Sequence, residues 1–503
     1  MASSDSSPSA VWLPTKIQFF LALAAYFGLQ LISRTLLSPS AHLDESEQLV
    51  FTQQWAWGYG PQPPLYTWIQ KLFFNAFGVS IFSLALLKNL LLFATYALAY
   101  WNARFITRRH VCGVAAAALI FIPQISWEAQ RDLTHSVMAC VFALAALGLF
   151  CRVLEFGKTT NHLALGLCLG LGALSKYNFI LFAAGLFIAA LSLKTLRPAV
   201  LNGRMLLALA LAVLIFLPHG WWMIHHWQMA SSTSHKLAIQ SDAPWLKTTA
   251  RGLANLLVAS GGFILPAALA LGLFFFRAKK TSPDVYGETS IRCDFARLIT
   301  RTIASIFGLL VLCVMIIHVT DFRGRWFQPI LLGVPILIVT WLHQRLEPRR
   351  LKWLMVSAAG VAIVLLIAMP ARIVFGEKLR HQEPVNFPFA VLAEQMKPDL
   401  APETIIVTQD HLLAGNLRLA LQPRLVVSTE LAAEFAPKAS HVALAWSLEK
   451  SATPPPALVD YAAKMGSPQW EQAKFISANL YFIPSKRLTI GYILMDRPAE
   501  KSP

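Results

Sequence analysis

Apolar residues come in long runs over the first three-quarters of this chain and in short runs over the rest. The long runs are Ile17–Leu37 and stretches near 81–103, 111–126, 134–151, 161–175, 177–193, 205–224, 252–276, 299–319, 327–343 and 352–370. Each is about long enough for a helix that spans a bilayer. From about Ala371 the charged fraction rises and the runs shorten to TIIVT, PRLVVST, HVALAWS, KFISANLYFI and LTIGYILM, which read as strands. Phe389–Met396, His411–Ala420 and Leu458–Met465 read as helices between them. The pattern predicts a polytopic α-helical membrane protein with about eleven transmembrane helices and a C-terminal α/β domain. No internal repeat stands out.

Composition agrees: 56% of the 503 residues are hydrophobic and only 14% are charged, where a soluble protein carries about 25% charged residues. The formal charge of +17 would point to nucleic acid in a soluble protein, but here its placement matters. Lys and Arg gather in every second loop, as at Arg104, Arg108 and Arg109, or Lys194, Arg197 and Arg204. Such loops face the cytoplasm, so the charge is a topology signal and nucleic acid is set aside. The polar tail 1–16 is then cytoplasmic, and 17–370 is the membrane domain. The first loop (38–80), the 127–133 turn, the 225–250 loop, the 318–326 turn and the region 371–503 face outward. The first run lacks a small-residue cleavage pattern and reads as an uncleaved anchor. The six cysteines include no CxxC pair, so neither a disulfide framework nor a zinc site is indicated.

Acids on the outward side are few: Asp44, Glu45, Glu47, Glu128, Asp132, Asp242 and Asp321. Ionisable groups near a bilayer are costly and usually have a partner or a task. Asp44-Glu45-Ser46-Glu47 fits a capping box with Asp44 as the cap. The same pair also offers a fixed carboxylate as a general base, with one carboxylate in each role. Glu128, Arg131 and Asp132 share a very short turn. Asp132 there is a helix cap, a substrate-orienting group, or a partner of Asp44 in holding a divalent metal. Lys176, in Ser175-Lys176-Tyr177-Asn178, reads as a snorkelling anchor or as a point charge for a lipid phosphate. His225, His226, His235 and Lys236 lack zinc spacing and read as an interfacial loop. Arg323 and Arg325 run against the positive-inside trend. They point to an anionic ligand or to packing against the outer domain. No dinucleotide, P-loop or nucleophile-elbow motif occurs in context, which leaves a nucleotide-sugar site without support.

The acidic pair Asp44-Glu45, the run GYGPQPPLY, the Arg131-Asp132 turn and the SKYN break at Lys176 carry a resemblance. The chain resembles the dolichyl-phosphate-mannose protein mannosyltransferase family and its bacterial relatives, among them the lipid A aminoarabinose and core galacturonic acid transferases. The resemblance implies a GT-C fold and an inverting glycosyltransferase in the bacterial inner membrane, with its site and C-terminal domain in the periplasm. It implies a polyprenyl-phosphate-linked sugar donor and a lipid A, lipopolysaccharide-core or other envelope acceptor. Asp44, Glu45 and Asp132 would be catalytic. Arg131, Lys176, Tyr59, Gln62, Tyr66, Arg323 and Arg325 would bind substrate. No cofactor is assigned beyond a possible divalent cation. A protein O-mannosyltransferase and a lipid or sugar flippase are the alternatives. A flippase would be expected to show inverted repeats and mid-membrane charges, of which Lys88 is the main instance.

Overall fold

The computed structural model describes residues 13–239, 244–275, 290–343, 348–435, 441–449, 452–466 and 468–496. The polar tail up to residue 12 and the outward acid Asp242 lie outside that set. The chain begins as helix α1 (Lys16–Leu37), then the short α2 (Leu43–Phe51), α3 (Leu65–Phe77) and the long α4 (Ile81–Ile106). Every predicted apolar run falls on helix. Among the described residues, seven helices are long and apolar enough to cross a membrane, or eight if one bent pair is a single span. That is fewer than the eleven runs. The reason is visible at Cys112–Phe121 and Gln124–Arg131, which meet at 83°. Pro123 lies at this break, where its ring cannot continue the helical hydrogen bonding. Asn178–Ser192 is likewise apolar but short.

α1 packs on α4 through aromatic pairs, with Phe19 and Tyr100 stacked at 5.6 Å and Phe27 and Tyr96 edge-on at 5.6 Å. Between these spans the chain leaves the bundle as α2 and α3. α2 ends at Phe51, where the N–H and hydroxyl of Thr52 both bond the Gln48 carbonyl, and Gly58, Gly60 and the prolines beyond keep the chain from resuming a helix before α3. Gly58 is required by a close approach: a Cβ there would lie 2.2 Å from the ring of Trp222. α3 starts at Pro64, and its first N–H bonds the carbonyl of Leu174 at 3.1 Å. This contact seats the first loop on the break that carries Lys176.

The C-terminal region forms one five-stranded sheet. Its strands are β1 (Ile405–Thr408), β2 (Val426–Ser428), β3 (His441–Ser447), β4 (Lys474–Leu480) and β5 (Ile483–Asp496), in spatial order β2-β1-β3-β5-β4. β1 pairs in parallel with β2 and β3, while β5 pairs antiparallel with β3 and β4. The five runs predicted as strands are these five. The run KFISANLYFI divides at the β4–β5 turn.

This domain grips the first loop. Ser38 and Ser40 hydroxyls donate to the carbonyls of Val385 and Phe387, both at 2.6 Å. The Asn416 amide accepts from the Ala41 N–H at 2.7 Å and donates to Ser46 Oγ at 3.0 Å. Gln53 exchanges two hydrogen bonds with the backbone of Val426. The His411–Ala420 helix lies so close to α2 that a Cβ on Gly415 would meet the Ser46 carbonyl oxygen at 2.4 Å. Each such buried hydrogen bond is worth about 1 kcal/mol. Together they join the loop to the domain as one packed unit.

Candidate active site

α2 carries three acids, and the structure gives them different surroundings. Successive residues of a helix point about 100° apart, so Asp44 and Glu45 cannot share a face. Glu45 turns inward. Its carboxylate takes Arg34 Nη2 at 2.7 Å, Lys88 Nζ at 3.0 Å and the His42 N–H at 3.1 Å, and the residue is only 1% exposed. Burial by itself would raise this pKa, but Arg34 and Lys88 outweigh it and hold Glu45 well below the carboxylate range. A carboxylate so stabilised is a weak base. The cap position expected of Asp44 falls on His42, with Glu45 at the third helical position bonding back to its N–H, and Glu45 is not disposed as a catalytic base. Lys88, the charge expected to be anomalous in its span, is the partner of Glu45.

Asp44 faces the other way and is half-buried. Its backbone N–H donates to Asp132 Oδ1 at 3.1 Å, so the two predicted acids meet across 88 residues of chain. Asp132 does not cap the next helix, because Thr134 holds that position. Burial, then Asp132, pushes the Asp44 carboxyl up to about 7, against the lowering pull of Arg325 and Lys176. Burial also raises Asp132, which Lys88 and the Asp44 N–H partly offset. Like charges in a shared site separate in this way, and one of them keeps a proton near neutral pH.

Glu47, one helical turn beyond Asp44, was not expected at the site. Burial, then Asp44, raises it to about 7, while His411, Lys236 and Arg325 pull it down. Two of those three were also missed. Lys236 arrives because the Thr320 and Asp321 N–H groups both bond the Leu237 carbonyl, at 3.2 and 3.3 Å. His411 comes from the α/β domain, with its ring edge-on to Phe51 at 5.2 Å. Only the density of charge around HVTDFRGRWF and SHK hinted at the first pairing, and nothing local signalled the second.

The cations that face the acids are Lys176, Arg325 and Lys236. Lys176 donates to the Ser136 hydroxyl, and burial, then Arg325, lowers it to about 8. Its loop is tied to the Arg325 turn by the Asn178 amide, which donates to the Trp326 carbonyl at 2.8 Å. Arg323 is exposed on that turn, beside Lys236.

Of the other predicted binding residues, Tyr66 lies within electrostatic reach of Asp44 and Glu45. Arg131 pairs with Glu128 at 2.9 Å and lies 3.9 Å from Glu383. The Tyr59 hydroxyl is committed within its own loop, to the Gln54 carbonyl and the Ala56 N–H, both at 2.9 Å. Tyr66 is fully buried beside His135, with ring centres 5.3 Å apart. Gln62 is half-buried at the Gly-Pro turn. Among the described residues, no three His, Cys, Asp or Glu side chains gather to hold a metal ion.

A half-buried acid pair whose carboxyls are both raised, set against fixed cations, can take a proton from a hydroxyl while a departing anion is neutralised. On a membrane bundle with an α/β domain closing the site, this arrangement defines the GT-C class of membrane glycosyltransferase. Residues 61–222 match the model of the dolichyl-phosphate-mannose-protein mannosyltransferase family. The chain is 32% identical to the lipopolysaccharide core galacturonosyltransferase RgtB of Rhizobium johnstonii, over 95% of this chain and 97% of that one. It is 33% identical to the core galacturonosyltransferase RgtA of the same organism, over 86% and 87%. The fold matches the crystal structure of ArnT from Cupriavidus metallidurans with a TM-score of 0.61, covering 94% of this chain and 97% of that one at 14% identity. The chain belongs to this family, and it is a multi-pass membrane glycosyltransferase. The flippase reading falls with that assignment.

Proposed function

We propose that the protein moves a hexuronic acid from a polyprenyl phosphate to the lipopolysaccharide core, at the outer face of the inner membrane. The observation that carries the reading is the Asp44–Asp132 pair set against Lys176 and Arg325. It is supported by the likeness along nearly the whole chain to a core galacturonosyltransferase and by a fold shared with ArnT bound to undecaprenyl phosphate. The acceptor oxygen attacks the anomeric carbon with inversion. The carbon–oxygen bond to the donor phosphate breaks, and polyprenyl phosphate leaves. Asp44 takes the acceptor's proton, and Asp132 holds the Asp44 backbone and sets its basicity. Lys176 and Arg325, with Lys236 behind them, balance the leaving phosphate.

Mass spectrometry of core oligosaccharide and lipid A from a deletion strain tests the reading. A missing hexuronic acid on the core is the expected result. An intact lipopolysaccharide, or a loss confined to glycoproteins, would overturn it.

Two further results are expected. In kcat/KM, which reports groups of the free enzyme, activity should rise with pH through about 7 as Asp44 loses its proton. It should fall again through about 8 as Lys176 loses its own. A flat profile across that window would count against both roles. Arg325→Gln should raise the KM for the donor by about 10- to 100-fold, the worth of a charge-assisted hydrogen bond. Steady-state assays with a polyprenyl-phosphate sugar read this directly.

A further inference from the structure

On a different face of α2 lies a second polar crevice. It is an open crevice, with a cavity volume of about 40 Å³, bounded by the end of α1, the turn at Arg131 and the helix Pro348–Val374. Three guanidinium groups line it, Arg34, Arg131 and Arg372, together with His42, while no carboxylate does. Their counter-ions stand behind the wall. Glu45 is 1% and Glu383 7% exposed, and Arg372 meets Glu383 at 2.6 Å. In this cluster Arg34, Lys88, Arg131 and Arg372 face Glu45, Glu128 and Glu383, and Lys88 and Arg131 also act on Asp132. The Nε atoms of Arg34 and Arg372 are buried with no hydrogen-bond partner, and such a donor costs about 1–3 kcal/mol. The Arg372 guanidinium is fixed over the Trp127 ring at 4.9 Å. The flanks are apolar: Leu37, Met369 and Ile373 line the crevice, and the helices on either side present Leu36 and Ile367, 80% and 62% exposed, outward. A cationic floor between two lipid-facing helices suits an amphiphile whose head is anionic.

We propose that this crevice binds the phosphate or carboxylate of an acidic glycolipid, as an acceptor site separate from the donor cations. The inference rests on the lipopolysaccharide reading above. Arg131 and His42 are near neighbours in sequence of Asp132 and Asp44, so a head group held here lies against the turn and the helix that carry the acid pair. Two cation sets on different faces of α2 let donor and acceptor anions bind together.

The test is direct binding to the full-length protein in detergent, by native mass spectrometry, with no turnover required. The probes are diphosphoryl lipid A, the same lipid without phosphates, inorganic phosphate and a polyprenyl phosphate. Ser33→Glu places a negative charge in the crevice, and Arg131→Gln removes a positive one whose nearest partner, Glu128, is solvent-accessible. Each is expected to weaken retention of diphosphoryl lipid A about tenfold or more, or about 1.4 kcal/mol, with polyprenyl phosphate held as before. Unchanged retention in both variants would overturn the proposal. So would equal retention of the phosphate-free lipid by the wild type, or displacement by inorganic phosphate alone, which would mark a free-phosphate site. A variant that also loses polyprenyl phosphate has lost its fold, and the other then decides. Loss of both ligands by both variants also overturns it, since the crevice would not be separable from the donor side. If the binding results hold while the deletion strain keeps a normal core, the anion site stands and the acceptor assignment falls.

Discussion

Asp44→Asn is expected to lower sugar transfer by about 10²- to 10⁴-fold, the range that a positioned general base supplies, with folding left intact. The asparagine keeps the shape and the backbone N–H that bonds Asp132. It cannot accept the acceptor's proton. Burial and Asp132 already favour the neutral form of Asp44 in the folded protein, and asparagine resembles that form. Stability should therefore be unchanged or slightly higher. Turnover in purified protein, set beside a thermal-unfolding curve, separates the two effects. A variant that still transfers sugar at the wild-type rate would sink the assignment of Asp44 as base.

Glu45→Gln, one residue along, should do the reverse and fail in folding first. The carboxylate neutralises Arg34 and Lys88 at once, at 2.7 and 3.0 Å, in a site almost closed to water. Removing one member of a buried charge cluster leaves the others uncompensated and costs about 3–5 kcal/mol, a large share of the 5–15 kcal/mol that holds a typical fold together. The expected outcome is a sharp fall in the yield of monodisperse protein and in its lifetime on heating. A double variant, Glu45→Gln with Lys88→Met, should recover part of the loss by removing one stranded charge. If Glu45→Gln folds normally and loses only turnover, Glu45 belongs with the catalytic acids after all.

Much of the architecture was legible because two environments impose strong patterns. A bilayer requires long apolar helices and a water-facing sheet requires short runs, so the helices and all five strands fell where the pattern put them. The span count was less legible. Run length reports how many apolar residues are consecutive, not whether the helix stays straight. The 83° bend at Pro123 shows how one break turns an apparent span into two short pieces. At the site, scarcity was the useful signal. Acids near a membrane are few, and Asp44 and Asp132 stood out for that reason and do meet.

What scarcity could not do was divide the roles. Asp44 and Glu45 are adjacent, alike in chemistry, and equally compatible with a cap or a base. The sequence by itself determined a membrane bundle, a terminal α/β domain, and a short list of acids from which any base would come. Only the tertiary structure decided which carboxylate is free. Arg34 and Lys88, from two different spans, converge on Glu45, whereas Lys176, Arg325, Lys236 and His411 converge on the side bearing Asp44 and Glu47. Those partners are from eleven to several hundred residues away in the chain. A pKa depends on what lies within a few ångströms, and that is set by packing rather than by neighbours in sequence.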